Sequence, residues 1–199
     1  MHTHPSSWRG TARWALFGVG LAALGAAGVV LSDDDGDEAP AHHGGRVVAD
    51  VPVVTDAAYA TECGACHMAY QPGLLPAAAW DQIMTSAALA AHYGENASLP
   101  DDTRATIAAY LTAHAADPSA SKRARAFAVG VATTSGATLP RITATRYFLR
   151  EHAEVPPRLV QDNPEVRSFS RCDSCHRDAA AGNYSERQID IPGHGPWRD

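Results

Sequence analysis

The strongest constraint on this 199-residue chain is the placement of its four cysteines. They fall as Cys63-Gly64-Ala65-Cys66-His67 and Cys172-Asp173-Ser174-Cys175-His176, with no cysteine left over. Two thiols three positions apart, followed at once by a histidine, form the C-x-x-C-H pattern of covalent haem attachment. The thiols can add to the two vinyl groups on one porphyrin edge, and the following imidazole then reaches the iron as proximal ligand. Cys63, Cys66, Cys172 and Cys175 are therefore expected to hold two covalently bound haem c groups, with His67 and His176 on the irons. Other chemistries fit worse. Paired C-x-x-C motifs that share a zinc are usually separated by roughly 12 to 20 residues, and the gap from Cys66 to Cys172 is far longer. A thioredoxin-like dithiol needs a βαβ context that neither flank shows. Structural disulfides would not require a histidine after each pair.

A chain of this length divided around two such groups forms small units that bury little surface by themselves, so the cofactors are expected to complete the cores. Alanine is abundant, β-branched runs are scarce and aromatics are few, which favours short helices over sheet. The expected fold class is all-α. It comprises an N-terminal haem domain over 51–118, where a helix before the motif and a closing helix packed across it match a class I cytochrome c-like core, and a small, irregular, mostly helical second haem domain over 119–199.

The N-terminus sets the compartment. The run from Trp14 to Leu31 is uncharged, Arg9 and Arg13 precede it, and Asp33, Asp34, Asp35, Asp37 and Glu38 follow. The basic flank stays in the cytoplasm, which puts everything after Leu31 on the outer, periplasmic side of the inner membrane. The run is at the lower edge for spanning a bilayer but longer than a usual signal core of about 7 to 15 residues. Its length favours an uncleaved anchor over a cleaved signal peptide. Residues 32–50 read as a flexible acidic tether.

In the first unit, Asp56 to Glu62 predicts a short helix ending at the haem motif, and Ala77 to Ala91 a second. Thr103 to Ala115 predicts a third, led in by Pro100, Asp101 and Asp102, with Ile107, Tyr110, Leu111 and His114 on one face. In the second unit, Ser121 to Val131 and Ile142 to His152 read as helical, Thr133 to Gly136 as a loop, and the Gly- and Pro-rich tail as irregular. Charge divides unevenly. Residues 51–118 hold seven acids against Arg104 alone, whereas residues 119–199 hold nine acids against twelve bases. That asymmetry suits oriented docking to a charged partner, although solvated surfaces without a docking role fit it equally.

The sixth ligand decides what each iron can do, because methionine raises the potential and an open position admits ligands. Met68 adjoins the proximal His67 and cannot readily reach over the ring. Met84, with Trp80 and Ile83, reads as core. His92 ends a helix in a position suited to crossing the first haem face, and His114 reads as a surface histidine. Residues 119–199 contain no methionine, which leaves His152 and His194 for the second iron. His152 is preferred because it ends a helical stretch, with His194 in the Gly-Pro tail as the alternative distal ligand.

The blocks Cys63-Gly64-Ala65-Cys66-His67-Met68-Ala69-Tyr70-Gln71-Pro72-Gly73-Leu74-Leu75-Pro76, then Trp80, Ile83-Met84 and His92-Tyr93-Gly94-Glu95-Asn96-Ala97 resemble the bacterial dihaem cytochrome c family. So do Ile142-Thr143-Ala144-Thr145, Glu151-His152, and Cys172 to His176 through Gly182-Asn183-Tyr184 and Ile189-Asp190-Ile191-Pro192. The resemblance spans roughly residues 56 to 192. It implies two low-potential haems with histidine on both faces, the distal ligands falling on His92 and His152. It also implies haem attachment after export. Its implied partners are a small oxygen-binding monohaem cytochrome and a membrane cytochrome b. The long acidic tether and the tail after Pro192, with His194 and Trp197, depart from the family pattern.

With both irons six-coordinate, outer-sphere electron transfer is the expected function, and no catalytic residues are assigned. Tyr70, three residues past His67, is placed to lie on a path between the haems, or equally to serve as core with a satisfied hydroxyl. The competing function is a dihaem peroxidase or oxidase with one open iron, though such chains are typically larger. A haem-based sensor would need an output domain that the sequence does not contain.

Overall fold

The structure, a computed structural model, describes residues 49–129 and 138–197. The apolar run 14–31, nearly all of the tether and the loop 133–136 lie outside the described residues. Among the described residues no helix is long and apolar enough to cross a membrane.

Among the described residues six short α-helices carry the fold, in keeping with the all-α expectation. Helix α1 (Ala57–Gly64) starts where the Asp56 carboxylate accepts the Tyr59 N–H at 2.7 Å and runs directly into the first motif. The stretch expected as one helix from Ala77 to Ala91 is two, α2 (Ala77–Ile83) and α3 (Ser86–Ala90). The break has a local cause. The Thr85 hydroxyl accepts the Ala88 N–H at 3.2 Å and starts a new helix, while the Met84 carbonyl turns aside to accept Arg104 Nη1 at 3.2 Å. Helix α4 (Asp101–Ala113) follows Pro100 with Asp101 and Asp102 in its first turn, where negative charge favours the helix dipole. Ile107 and Leu111 are its buried face.

Helix α5 (Lys122–Ala128) is capped by Ser121. The stretch expected as helix from Ile142 to His152 is a 3-10 turn, Ile142–Ala144, followed by α6 (Arg146–Glu151). Thr145 separates them. Fully buried, its hydroxyl donates to the Ile142 carbonyl at 2.8 Å and accepts the Phe148 N–H at 3.2 Å. Beyond α6 the chain runs through 3-10 turns, one of which, Cys172–Ser174, carries the second motif. Its tail is not wholly irregular, because β1 (Asp190–Ile191) pairs antiparallel with β2 (Gly195–Pro196).

Two apolar clusters form the interior. Tyr59, Trp80, Ile83, Met84, Ile107 and Leu111 belong to one, which confirms Met84 as core. Val51, Leu74, Phe127 and Phe148 belong to the other. Neighbouring residues feed opposite clusters: Leu75 and Ala115 enter the first, Leu74 and Ala116 the second. A hydrogen bond from the Ala116 N–H to the Leu75 carbonyl, at 2.9 Å, ties these branch points together.

Asp50, read from sequence as the last residue of a flexible tether, is instead anchored. Its N–H and that of Val51 donate to the Gly182 carbonyl at 2.8 and 3.1 Å. Its carboxylate accepts the Tyr184 N–H at 2.8 Å and pairs with Arg123 at 3.6 Å. Gly182 permits this approach twice over. Its φ of +72° is one that side-chain-bearing residues avoid, and a Cβ there would sit 2.2 Å from the Val51 carbonyl oxygen. Gly182→Ala should therefore lower stability by about 2–4 kcal/mol, read as a drop in the thermal midpoint of the haem-loaded protein. An unchanged midpoint would show that this junction is dispensable.

Candidate haem sites

Each motif histidine faces a second histidine. His67 leaves the end of α1 exposed on one side, and its ring lies 6.3 Å from that of His92, with the planes 16° apart. His176 follows the 3-10 turn of the second motif, and its ring lies 6.1 Å from that of His152, with the planes 72° apart. Imidazoles that bind one metal from opposite sides, with bonds of about 2 Å and about 1.1 Å more from nitrogen to ring centre, place their centroids roughly 6 Å apart. Both pairs have that spacing.

Protonation favours the same use. The Nδ1 of His67 lies 2.8 Å from the Met68 carbonyl and that of His152 lies 3.0 Å from the Phe148 carbonyl. With the hydrogen on Nδ1, each ring keeps the Nε2 lone pair for a metal and becomes a stronger donor. Burial lowers the pKa of His92 and of His152, and it brings His176 down to about 4, helped by His152 and Arg123. These imidazoles are neutral at pH 7, as ligation requires. The Nδ1 atoms of His92 and His176 are buried without a protein partner, a mark of a site completed by something other than the polypeptide.

The cysteines agree. Burial pushes the Cys63 thiol up to about 11 and the Cys172 thiol to about 12, with Glu62 and Asp173 adding to the effect. A redox-active dithiol needs the opposite shift, so the exchange reading fails on chemistry as well as context. Cys172, Cys175, His176 and His152 line one cavity of about 290 Å³, walled by Phe148, Phe169 and Ile191 among others. The residues present fit a covalently held haem in each half.

His152 caps the end of α6, where Phe148, one helical turn earlier, stacks on its ring at 3.8 Å and 12°. Phe169 meets the same ring edge-on at 5.9 Å. His194, the alternative, is exposed in the β1–β2 turn against Trp197 at 5.8 Å and is not among the residues lining the cavity. His114 is exposed, its Nδ1 2.8 Å from the Tyr110 carbonyl.

A polar seam runs between the two proximal histidines. Tyr70 stacks on His67 at 4.9 Å and 23°, and its hydroxyl donates to the Ser170 carbonyl at 2.7 Å, two residues before Cys172. The next residue, Gln71, is fully buried; its amide donates to the Ala179 carbonyl at 2.7 Å and its oxygen accepts the Tyr184 hydroxyl. Tyr184 in turn packs against His176 at 5.3 Å. Sequence reasoning singled out Tyr70 but missed Gln71, Tyr184, Phe148 and Phe169. Phe148 was legible from its four-residue spacing to His152 on a helix. The others meet their partners only across long separations.

A family model described as dihaem cytochrome c matches residues 59–184. Among solved structures, the chain resembles the dihaem cytochrome c of Shewanella baltica OS155, at 42% identity and a TM-score of 0.58, over 71% of this chain and 97% of that one. It also resembles the dihaem cytochrome c of Rhodobacter sphaeroides, at 42% identity and a TM-score of 0.52, over 67% of this chain and all of that one. No curated protein matches.

The two ring geometries should be distinguishable. Aligned imidazole planes split the two iron d orbitals with which they form π bonds, whereas crossed planes leave them nearly equal in energy. The oxidised protein should show two low-spin electron paramagnetic resonance signals, one rhombic from the pair at 16° and one strongly anisotropic and near-axial from the pair at 72°. Two superimposable rhombic signals would contradict the crossed arrangement at His152 and His176.

Proposed function

Because the chain belongs to the dihaem cytochrome c family, whose two covalently bound haem c groups it shares, we propose that it is a periplasmic electron carrier and not an enzyme. Each haem, when bound, supplies one-electron exchange at its iron. Cys63 and Cys66 would hold one and Cys172 and Cys175 the other, with His67 and His92 the ligands for one iron and His176 and His152 those for the other. The observation that carries this reading is the pair of histidine separations, 6.3 and 6.1 Å. With an imidazole on each side, neither metal keeps a position for peroxide or oxygen.

The residues around the irons set the potential and the route. Imidazole in place of methionine favours a low potential, and the carbonyls of Met68 and Phe148, by drawing on the Nδ1 hydrogens, strengthen the donation from His67 and His152. The seam of Tyr70, Gln71 and Tyr184 fixes the two proximal histidines relative to one another. Tyr70, against His67 and bonded to the segment leading into Cys172, is the candidate path between the haems. Export fits the basic flank of the apolar run 14–31 and the family's habit of attaching haem outside the cytoplasm. The acidic first half and basic second half suit partners of different charge, a small oxygen-binding monohaem cytochrome and a membrane cytochrome b being the pair the family suggests.

Carbon monoxide tests the carrier reading directly. The reduced protein should keep its low-spin spectrum under the gas; a clear shift in the parent protein favours a peroxidase-like enzyme instead. His152→Ala should turn the second haem high-spin, open it to carbon monoxide and raise its potential, and the assignment is wrong if only His194→Ala does so. Electron exchange with a charged partner should slow as salt is raised, and a flat ionic-strength profile would remove the docking argument.

A further inference from the structure

A two-residue hairpin turn with positive φ at both central positions calls for residues such as Asn-Gly, because a side chain in that conformation crowds its own backbone. The turn from His92 to Glu95 is of this kind. The two ends form an antiparallel bridge, the Glu95 N–H donates to the His92 carbonyl at 3.1 Å, and the central residues have φ of +54° and +107°. Gly94 suits its place. Tyr93 does not, and a residue held in an unfavourable conformation beside a functional side chain is held there by its contacts.

Those contacts come from a remote part of the chain. The Tyr93 hydroxyl donates to the Pro140 carbonyl, and the Arg141 guanidinium lies over the Tyr93 ring, 4.3 Å from its centre. The Tyr93 ring also meets the His92 imidazole edge-on at 4.7 Å. His92 has particular use for such support. His67 and His152 are each oriented by an Nδ1 contact with a carbonyl, whereas the Nδ1 atoms of His92 and His176 have no protein partner, and of these two only His176 adjoins a cysteine of a haem motif. Nor does His92 sit within a helix, since the five-residue α3 ends at Ala90.

We propose that Tyr93, clamped by Pro140 and Arg141, is a positioning residue that holds His92 on the first iron. This rests on reading His92 as a ligand, and it adds the reason that ligand stays bound. The clamp makes the first iron inert to gases by way of a segment that leads into the second haem half, so a carrier and a ligand-binding haem would differ here by two side chains rather than by the ligand itself.

The test uses the full haem-loaded protein and reads carbon monoxide binding by the reduced form together with high-spin electron paramagnetic resonance of the oxidised form. Tyr93→Gly suits the turn conformation, so it removes the clamp without straining the fold. It should raise the five-coordinate population of the first haem about tenfold, equivalent to about 1.4 kcal/mol, with the signal of the second haem unchanged. Tyr93→Phe, which keeps the ring and loses the hydroxyl, should fall between. Arg141→Ala should shift the first haem in the same direction, and Arg141→Lys should recover part of the loss. His92→Ala must itself open the first haem; if it does not, the ligand reading fails and takes the clamp with it. If His92→Ala binds carbon monoxide while Tyr93→Gly and Arg141→Ala stay as inert as the parent, the clamp alone is overturned.

Discussion

Two imidazoles whose centres stand just over 6 Å apart are too far apart to pack on one another and are spaced as two ligands of one metal would be. The gap occurs twice here, with the same width and different twist. The surroundings keep these histidines in place: short helices that end beside them, backbone carbonyls of Met68 and Phe148 against Nδ1 of His67 and His152, and aromatic side chains packed on their rings. The apolar clusters are modest because the flat, covalently bound groups make up the remainder of each interior.

The two sites are built differently. At the second, a helix end, a stacked phenylalanine and a carbonyl from that same phenylalanine all converge on His152 within four residues of sequence. Orientation there is a local property. At the first, His92 sits in a tight turn against Tyr93, whose own partners lie at Pro140 and Arg141. Orientation there is a tertiary property, and it exists only once both halves have come together.

This difference also explains how much could be read from the residues in order. The thiols and proximal histidines were legible because the haem motif is contiguous. His152 and Phe148 were legible in principle because helical spacing places them together. His92 came from elimination and resemblance. The division of Ala77–Ala91 into two helices was missed because a single threonine hydroxyl and an arginine reaching in from α4 decided it. Tyr93, Gln71 and Tyr184 left no local pattern. Their roles follow from contacts spanning dozens of residues, and the anchoring of Asp50 to the segment around Gly182 is likewise invisible until the chain has folded back on itself.

That last junction has a consequence for how the molecule is assembled. Val51 packs with Phe127 and Phe148, so the described chain enters in one half, builds the other, and returns. A chain that emerges N-terminus first presents this segment long before Gly182 and Tyr184 arrive to receive it. Closure between residues so far apart is slow, so this junction belongs with the late, non-local contacts of the fold while helix α1 and its neighbours can form from local ones.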